Sequence, residues 1–471
     1  MKKLSYFILL LCAVFSVSCS KDEPEISQKP GEEQPSQPDE DQNKPSDDIL
    51  NITINEDGTT SNGQPYRNIS DTEFWLNYIR YQVVGGHISV VEADYQEIGL
   101  TLNGEVIIPE SINLKGNKYY VREIGPSAFD NCQSIESCYL PESLNQINRC
   151  AFKNCTNLTT IKYPKKIDEI YESAFKQSGI RSFECSSVNI IRSECFASCE
   201  NLGQVVIHSA DSIGQSCFAS CENLQHVTFN NTNTLKLGGS LFEGCINLHE
   251  LELNNVVVYG FAFYGCDKLN LKLNNAVLKY SSLNSKASSI HIKNSVIGTR
   301  AASIYYPDIS KKISITSSTI KPDAFNEVFI DTIILDNIQL QSNIFKNCRI
   351  RSISILGFET VPESLIYQYD KDYPSRYQLF NVKISGVKSL TLPFATPPII
   401  KNLFIDNVKE FIYNKNTYQA VDNLYVPDTI SQETLDIYKS YEFKRSIGYK
   451  NLNVVPLGEY ISLFDQFTEG L

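Results

Sequence analysis

The chain of 471 residues carries 42 Lys+Arg against 54 Asp+Glu, a formal net charge of -12, and 42% of it is hydrophobic. So acidic a chain is a poor partner for a nucleic-acid backbone, and its ordinary apolar content excludes both wholesale disorder and a polytopic membrane protein. The length allows about two to four domains or one long array, and 14 Cys beside a single Met and a single Trp raise two readings, a disulfide framework or metal sites, between which spacing must decide.

The first element is an export signal over residues 1–18. Lys2 and Lys3 precede the run Leu4 to Val17, in which only Ser5 and Ser16 are polar. As a helix that run spans about 21 Å, short of the ~30 Å hydrocarbon core, so it reads as a cleaved signal and not an anchor. Ser16-Val17-Ser18-Cys19 resembles a bacterial lipobox, which implies that the Cys19 thiol takes a diacylglycerol. Ser20-Lys21-Asp22-Glu23 is similar to the acidic export tag of Bacteroidetes lipoproteins, which implies an outer-membrane lipoprotein exposed on the cell surface. Residues 19–50 continue as a tether. Positions 20–50 hold ten acidic side chains, three Lys and five Pro with no apolar period, the composition of a solvated, self-repelling spacer.

Residues 51–125 read as an N-terminal β cap. Ile79 to Val84 and His87 to Val91 alternate about Gly85-Gly86 and predict a hairpin. Val106-Ile107-Ile108-Pro109 and Lys118-Tyr119-Tyr120-Val121 predict further strands.

An array of coils of about 22 residues is expected over 126–427. Phe recurs at 129, 152, 175, 196, 218, 242 and 263, at intervals of 21 to 24. A small residue usually precedes it, as at Ala128, Ala151, Ala174, Cys195, Cys217 and Ala262, with Leu241 the exception. Three residues later comes Cys132, Cys155, Cys199, Cys221, Cys245 or Cys266, replaced once by Ser178. Each coil then carries a strand-like pair whose first member is Cys138, Ile161, Phe183, Val205, Val227, Leu251, Leu271, Ile290, Ile313, Ile333 or Ile353. Ala324-Phe325 and Phe345-x-x-Cys348 revive the Phe half late, and Val382, Leu403 and Leu424 add three rungs beyond an interruption near 359–380.

The motif A-F-x-x-C-x-x-L-x-x-I-x-x-P-x-x-I-x-x-I, clearest from Ala151 to Ile170, resembles the BspA-type (Treponema-type) leucine-rich repeat. The resemblance implies a β-rich solenoid with a β N-terminal cap and a strand-plus-helix C-terminal cap over 428–471. Leu424-Tyr425-Val426-Pro427 followed by Ser431 to Phe443, with Leu435, Tyr438 and Tyr441 at helical spacing, fits that closing element and would cover the last open sheet edge.

The spacing reads the cysteines as inward-pointing structural thiols, with disulfides along the ladder as the alternative. Seven of them, at 132, 155, 199, 221, 245, 266 and 348, fall on one repeat position, and no C-x-x-C occurs. Adjacent rungs stand close enough for bridging, but Ser178 breaks the ladder and no pairing is needed. No metal site and no cofactor are expected. Cys221 precedes His226 by five and Cys245 precedes His249 by four, yet the strand turns these His outward, so four ligands do not converge. G-x-S-x-G, H-E-x-x-H and P-loop motifs are missing, and the expected protein is not an enzyme.

The outward row of the strands reads Lys162, Glu184, Val206, Thr228, Glu252, Lys272, His291, Ser314, Ile334 and Ser354, a mixed face with no basic stripe. Toward the C-terminus rings collect: Phe404 and Tyr425 on strands, and Tyr367, Tyr369, Tyr373 and Tyr377 in the interruption. These six are the candidate ligand-binding residues. Asp211-Ser212-Ile213, Asp331-Thr332-Ile333 and Asp428-Thr429-Ile430 resemble the short O-glycosylation sequon of exported Bacteroidetes proteins. The resemblance as a whole implies a surface lipoprotein that mediates adhesion or protein–protein contact, including contact with host proteins, and a monomer is expected. A glycan-binding component of a polysaccharide-uptake system, with the Tyr cluster holding sugar, is the other expectation.

Overall fold

In the computed structural model the described residues are 44–93, 102–303, 312–339, 341, 343–358, 360–361, 366–367, 379–387, 389–390, 400–406, 410–411, 421–440, 449–460 and 462–463. For 360–361, 366–367, 379–380, 389–390 and 410–411 the backbone alone is described. The chain divides into two units, Met1–Pro45 and Ser46–Leu471. Cys19, the tether through residue 43, Tyr369, Tyr373, Tyr377 and Tyr441 lie outside the described residues.

The second unit begins inside the segment read as tether. Asp47–Leu50 forms a short helix that seats Leu50 in the core and runs into the strand Asn51–Ile54. The expected hairpin is present: Ile79–Val84 and His87–Val90 pair antiparallel, with Gly85 and Gly86 at φ 54° and 84°, the left-handed pair that a tight two-residue connection requires. It belongs to a larger meander that also includes Tyr66–Asn68 and Glu73–Leu76. His87–Val90 then pairs parallel with Asn117–Ile124, where the meander becomes the first strand of the array.

From there each coil adds strands to parallel sheets on two faces. On one face the strands Gly104–Ile107, Ile135–Tyr139 and Thr160–Lys162 form a first sheet, Ser182–Cys185, Gln204–Ile207 and His226–Phe229 a second, and ten strands from Glu250–Asn254 to Tyr449–Val455 a third. The rung residues read from the sequence pair one to one: Ile161 with Cys138, Phe183 with Val205, Val205 with Val227, and then Leu251, Leu271, Ile290, Ile313, Ile333, Ile353, Val382, Leu403 and Leu424 in unbroken succession. Two rungs extend the ladder beyond expectation, Val106 before Cys138 and Leu452 after Leu424. The other face carries short strands centred on the last aliphatic of each coil, Ile124, Ile147, Ile170, Ile191, Ile213, Leu237, Val258, Leu278, Ile297 and Ile320. Both strand sets are apolar on one side only, so neither is stable until the two close on a shared core.

The Ala-Phe segment turns the chain between faces. Residues just ahead of the small-Phe pair take a left-handed backbone, Ser127 at φ 52°, Ser173 at 56° and Ser216 at 52°, and so do residues two after the Phe, Asn131 at 60°, Asn154 at 58° and Ser220 at 57°. Short polar side chains tolerate this conformation best among non-glycines. The turns stack through the backbone: Phe129 N donates to Ala151 O at 2.8 Å, Phe152 N to Ala174 O at 2.7 Å, Phe175 N to Cys195 O at 2.8 Å and Phe196 N to Cys217 O at 2.8 Å. The Phe rings are thereby held one over another. Successive centroids from Phe129 to Phe263 stand 5.1, 5.3, 5.2, 5.5, 5.7 and 6.1 Å apart, with interplanar angles of 18° or less.

At the C-terminal end the expected helix is Gln432–Lys439, and Ser431 caps it by accepting from Thr434 N. The sheet does not stop before it. After the helix, Tyr449–Val455 returns as a further parallel strand beside Val421–Pro427, so the helix is an insertion between the last two strands. Tyr449 Oη donates to Tyr438 O at 3.0 Å and ties the two together. The interruption near 359–380 likewise contains sheet: Thr360–Val361 pairs with Ser389–Leu390, and Ile366–Tyr367 with Phe345–Lys346.

Candidate binding surface

The cysteines are built into the core. Five of the seven thiols on the repeat position reach back to the carbonyl of the Phe in the preceding coil: Cys155 Sγ to Phe129 O at 3.0 Å, Cys199 to Phe175 O at 3.0 Å, Cys221 to Phe196 O at 3.1 Å, Cys245 to Phe218 O at 3.1 Å and Cys266 to Phe242 O at 3.0 Å, whereas Cys348 lies 3.5 Å from Lys346 O. Burial pushes these thiols up, to about 12 for Cys199 and Cys266, so the proton needed for donation stays in place. The twelve cysteines described are free thiols. In the coil after Cys266, Ser285 Oγ donates to Phe263 O at 2.9 Å in place of a thiol. It escapes a sequence reading because it stands one position out of step, two residues after Leu283. At the other substitution, Ser178 Oγ lies 3.4 Å from Cys199 Sγ.

With the thiols internal, the surface open to a ligand is the outward row. Glu184, Thr228, Glu252, Lys272 and His291 are exposed; half-buried Val206 stands between the first two in one sheet, and Glu252, Lys272 and His291 follow on neighbouring strands of the ten-stranded sheet. His226 is exposed too, and His208 pairs with Glu184 at 3.9 Å. Burial and the flanking Lys312 and Lys272 hold the His291 imidazolium below its ordinary range. Farther along, the row becomes covered, and Ser354 is buried.

A second row on the same side forms a carboxamide ladder. Asn402 Nδ2 donates to Asn381 Oδ1 at 2.9 Å, Asn423 Nδ2 to Asn402 Oδ1 at 3.1 Å and Asn451 Nδ2 to Asn423 Oδ1 at 3.0 Å. Asn402 and Asn423 each use one donor and one acceptor along the stack, and Asn381 ends it by donating to Ser352 Oγ at 3.4 Å, which lets Asn381 and Asn402 be buried with both amide ends engaged.

The aromatic residues expected to meet a ligand separate. Phe404 and Tyr425 are partners on adjacent strands, with rings 4.7 Å apart and 11° from parallel. The expectation that Phe404 is presented to solvent is corrected: its exposure is 0%, because Tyr460, arriving from beyond the last strand, stands edge-on against its ring at 5.5 Å. Tyr425 is half-buried beside it. Tyr367 sits on the strand Ile366–Tyr367, with its backbone alone described. Of the glycosylation-like triplets, Thr332 is buried in a strand, Ser212 is half-buried, and Thr429 is exposed in the turn ahead of the helix. Among the described residues no helix is long and apolar enough to cross a membrane.

Parallel coils, an inward aliphatic ladder and a stacked Phe spine define a leucine-rich repeat solenoid. A model described as the BspA type leucine rich repeat region matches in six copies over residues 122–249, 189–306 and 258–372, and the chain belongs to that family. Among solved structures it is similar to a leucine-rich repeat protein from Bacteroides ovatus, at 19% identity over 82% of this chain and 99% of that one, with a TM-score of 0.35. A leucine rich cell surface protein from Faecalibacterium prausnitzii shares 15% identity over 84% and 98%, with a TM-score of 0.38. The pneumococcal vaccine antigen PcpA shares 14% identity over 83% and 99%, with a TM-score of 0.27. No curated protein matches the chain.

Proposed function

We propose that this protein is a non-enzymatic adhesion or protein-binding module held on the outer surface of the cell. The observation that carries the reading is the outward row from Glu184 to His291, a face of mixed charge whose Glu184, Thr228, Glu252, Lys272 and His291 are exposed. Small-molecule sites are concave and mostly apolar. An extended, polar, repeated surface suits a macromolecule that meets several coils at once. Cys19 anchors the chain through lipid to the outer membrane, the acidic Pro-rich segment ahead of Ser46 spaces the solenoid from it, and the partner is an extracellular protein, host proteins included.

Two measurements test this reading. The secreted chain without its signal is screened against arrays of extracellular matrix proteins and of glycans. Retention on one or more proteins, weakened by reversing Glu252 and Lys272, is the expected outcome, whereas retention on glycans alone would transfer the assignment to carbohydrate uptake. Protease treatment of intact cells should release the solenoid, and Cys19→Ala should send it to the soluble fraction. Any turnover of peptide or glycan panels would overturn the non-enzymatic assignment.

A further inference from the structure

We infer that the Phe404–Tyr425 ring pair is a docking site for an aromatic side chain carried on a protein segment, and that the chain's own turn at 456–460, together with Leu463, occupies it as a resident ligand. The inference rests on the reading that the solenoid binds protein, and it assigns one place on the solenoid to that contact.

The strand register aligns Lys383, Phe404 and Tyr425 on adjacent strands in one outward row, while their neighbours Val382, Leu403 and Leu424 point into the main core. Phe404 and Tyr460 form an apolar cluster of their own, with Tyr425, Val455 and Leu463 packed against it. The ring pair is therefore a surface feature with a cover, and the cover is local. After the strand Tyr449–Val455 the chain folds back through Pro456 and one helical turn at 457–460, closed by Tyr460 N donating to Pro456 O at 2.8 Å. The turn hangs on one carboxylate, Asp428, whose Oδ1 accepts from Leu457 N at 3.2 Å while its own N donates to Val455 O at 2.7 Å.

What Tyr460 does there describes what the site accepts. Its ring stands 71° to the Phe404 plane, the edge-to-face arrangement that aromatic quadrupoles favour, and Lys383 Nζ lies over it at 5.9 Å from the centroid. Leu463, three residues on, adds an aliphatic contact. The matching partner is thus a segment with an aromatic residue followed three positions later by an aliphatic one.

The fit of the resident is incomplete. Tyr460 is 1% exposed, and its hydroxyl has no hydrogen-bond partner among the described residues. A hydroxyl that has left water without a new partner opposes burial. A partner ring without that group, or with an acceptor for it, therefore exchanges with Tyr460. Leu457 at the rim is 40% exposed, which leaves the turn open to being lifted.

The test uses the full chain and a fluorescein-labelled synthetic peptide copying residues 453–463. Tyr460→Ala should bind the peptide at least about 10-fold more tightly than the wild type, since a resident that closes the site nine-tenths of the time lowers apparent affinity by that factor. Adding Phe404→Leu should remove the gain, and a peptide with Ala in place of its Tyr should not bind. Tyr460→Phe keeps the ring and sheds the unpartnered hydroxyl, so it should close the site more firmly and bind the peptide more weakly than the wild type. Equal binding by wild type and Tyr460→Ala, or binding indifferent to Phe404→Leu, would overturn the inference. A second measurement covers the case in which a variant misfolds: saturating peptide added to the wild-type chain should speed hydrogen exchange at the amides of 457–460, and unchanged exchange with peptide bound would refute displacement. Phe404-dependent binding of oligosaccharide in place of peptide would overturn the choice of a protein segment. If matrix-protein retention survives while these results fail, the resident-ligand inference falls and the adhesion reading stands.

Discussion

Cys221 illustrates what one atom does in a repeat. Its Sγ donates to Phe196 O from a fully buried site, so the position needs a small side chain with a proton to give. Cys221→Ser keeps a donor, as Ser285 does naturally, whereas Cys221→Ala leaves Phe196 O with the Cys199 N–H alone, at 3.2 Å. The alanine variant should lose about 0.5–1.5 kcal/mol and the serine variant distinctly less, read from urea midpoints. His291 gives a pH signature. Its charged form is disfavoured in the fold, so its contribution to stability is complete above the ordinary value of 6.5 and declines as pH falls below that toward the lower folded value. His291→Gln should leave the melting temperature unchanged at neutral pH and raise it relative to wild type near pH 5, and identical shifts at both values would refute the assignment.

At the scale of elements, the Phe spine is what the other contacts are arranged around. Phe218 sits inside it, between Phe196 at 5.5 Å and Phe242 at 5.7 Å, with no exposed surface. Phe218→Ala should cost about 3–5 kcal/mol, because the neighbouring rings are pinned by backbone bonds and cannot close the gap. The same change at half-exposed Tyr425 should cost distinctly less in thermal melts. The spine, the rung register and the N-terminal hairpin were legible in the sequence because each follows from a local period that recurs. The cover on Phe404 was not. Alternation tells which side of a strand a residue takes, but not what later folds over that side, and Tyr460 comes from 56 residues downstream in a stretch without a period. The strand Tyr449–Val455 was missed for a related reason: the helix inserted before it breaks the spacing by which a rung is recognised.

For the whole solenoid, each coil touches mainly its neighbours, so stability is a sum of coil and interface contributions. The stretch from Phe129 to Phe263 has both the ring stack and the thiol ladder, while Leu283 and Ala302 occupy the ring column beyond it. Native-state hydrogen exchange should therefore be slowest for amides in the strands between 135 and 258 and faster in those after 312, and the reverse order would show that the late sheet is the stable part.

The thiol ladder also has a direction. Every donor belongs to a later coil and every acceptor to the one before it, from Cys155 on Phe129 through Cys266 on Phe242. A nascent chain that emerges from its N-terminus completes the acceptor first, so each arriving coil meets a finished template. Synthesis and assembly can then proceed in the same order, with only the newest coil left unsatisfied at any moment.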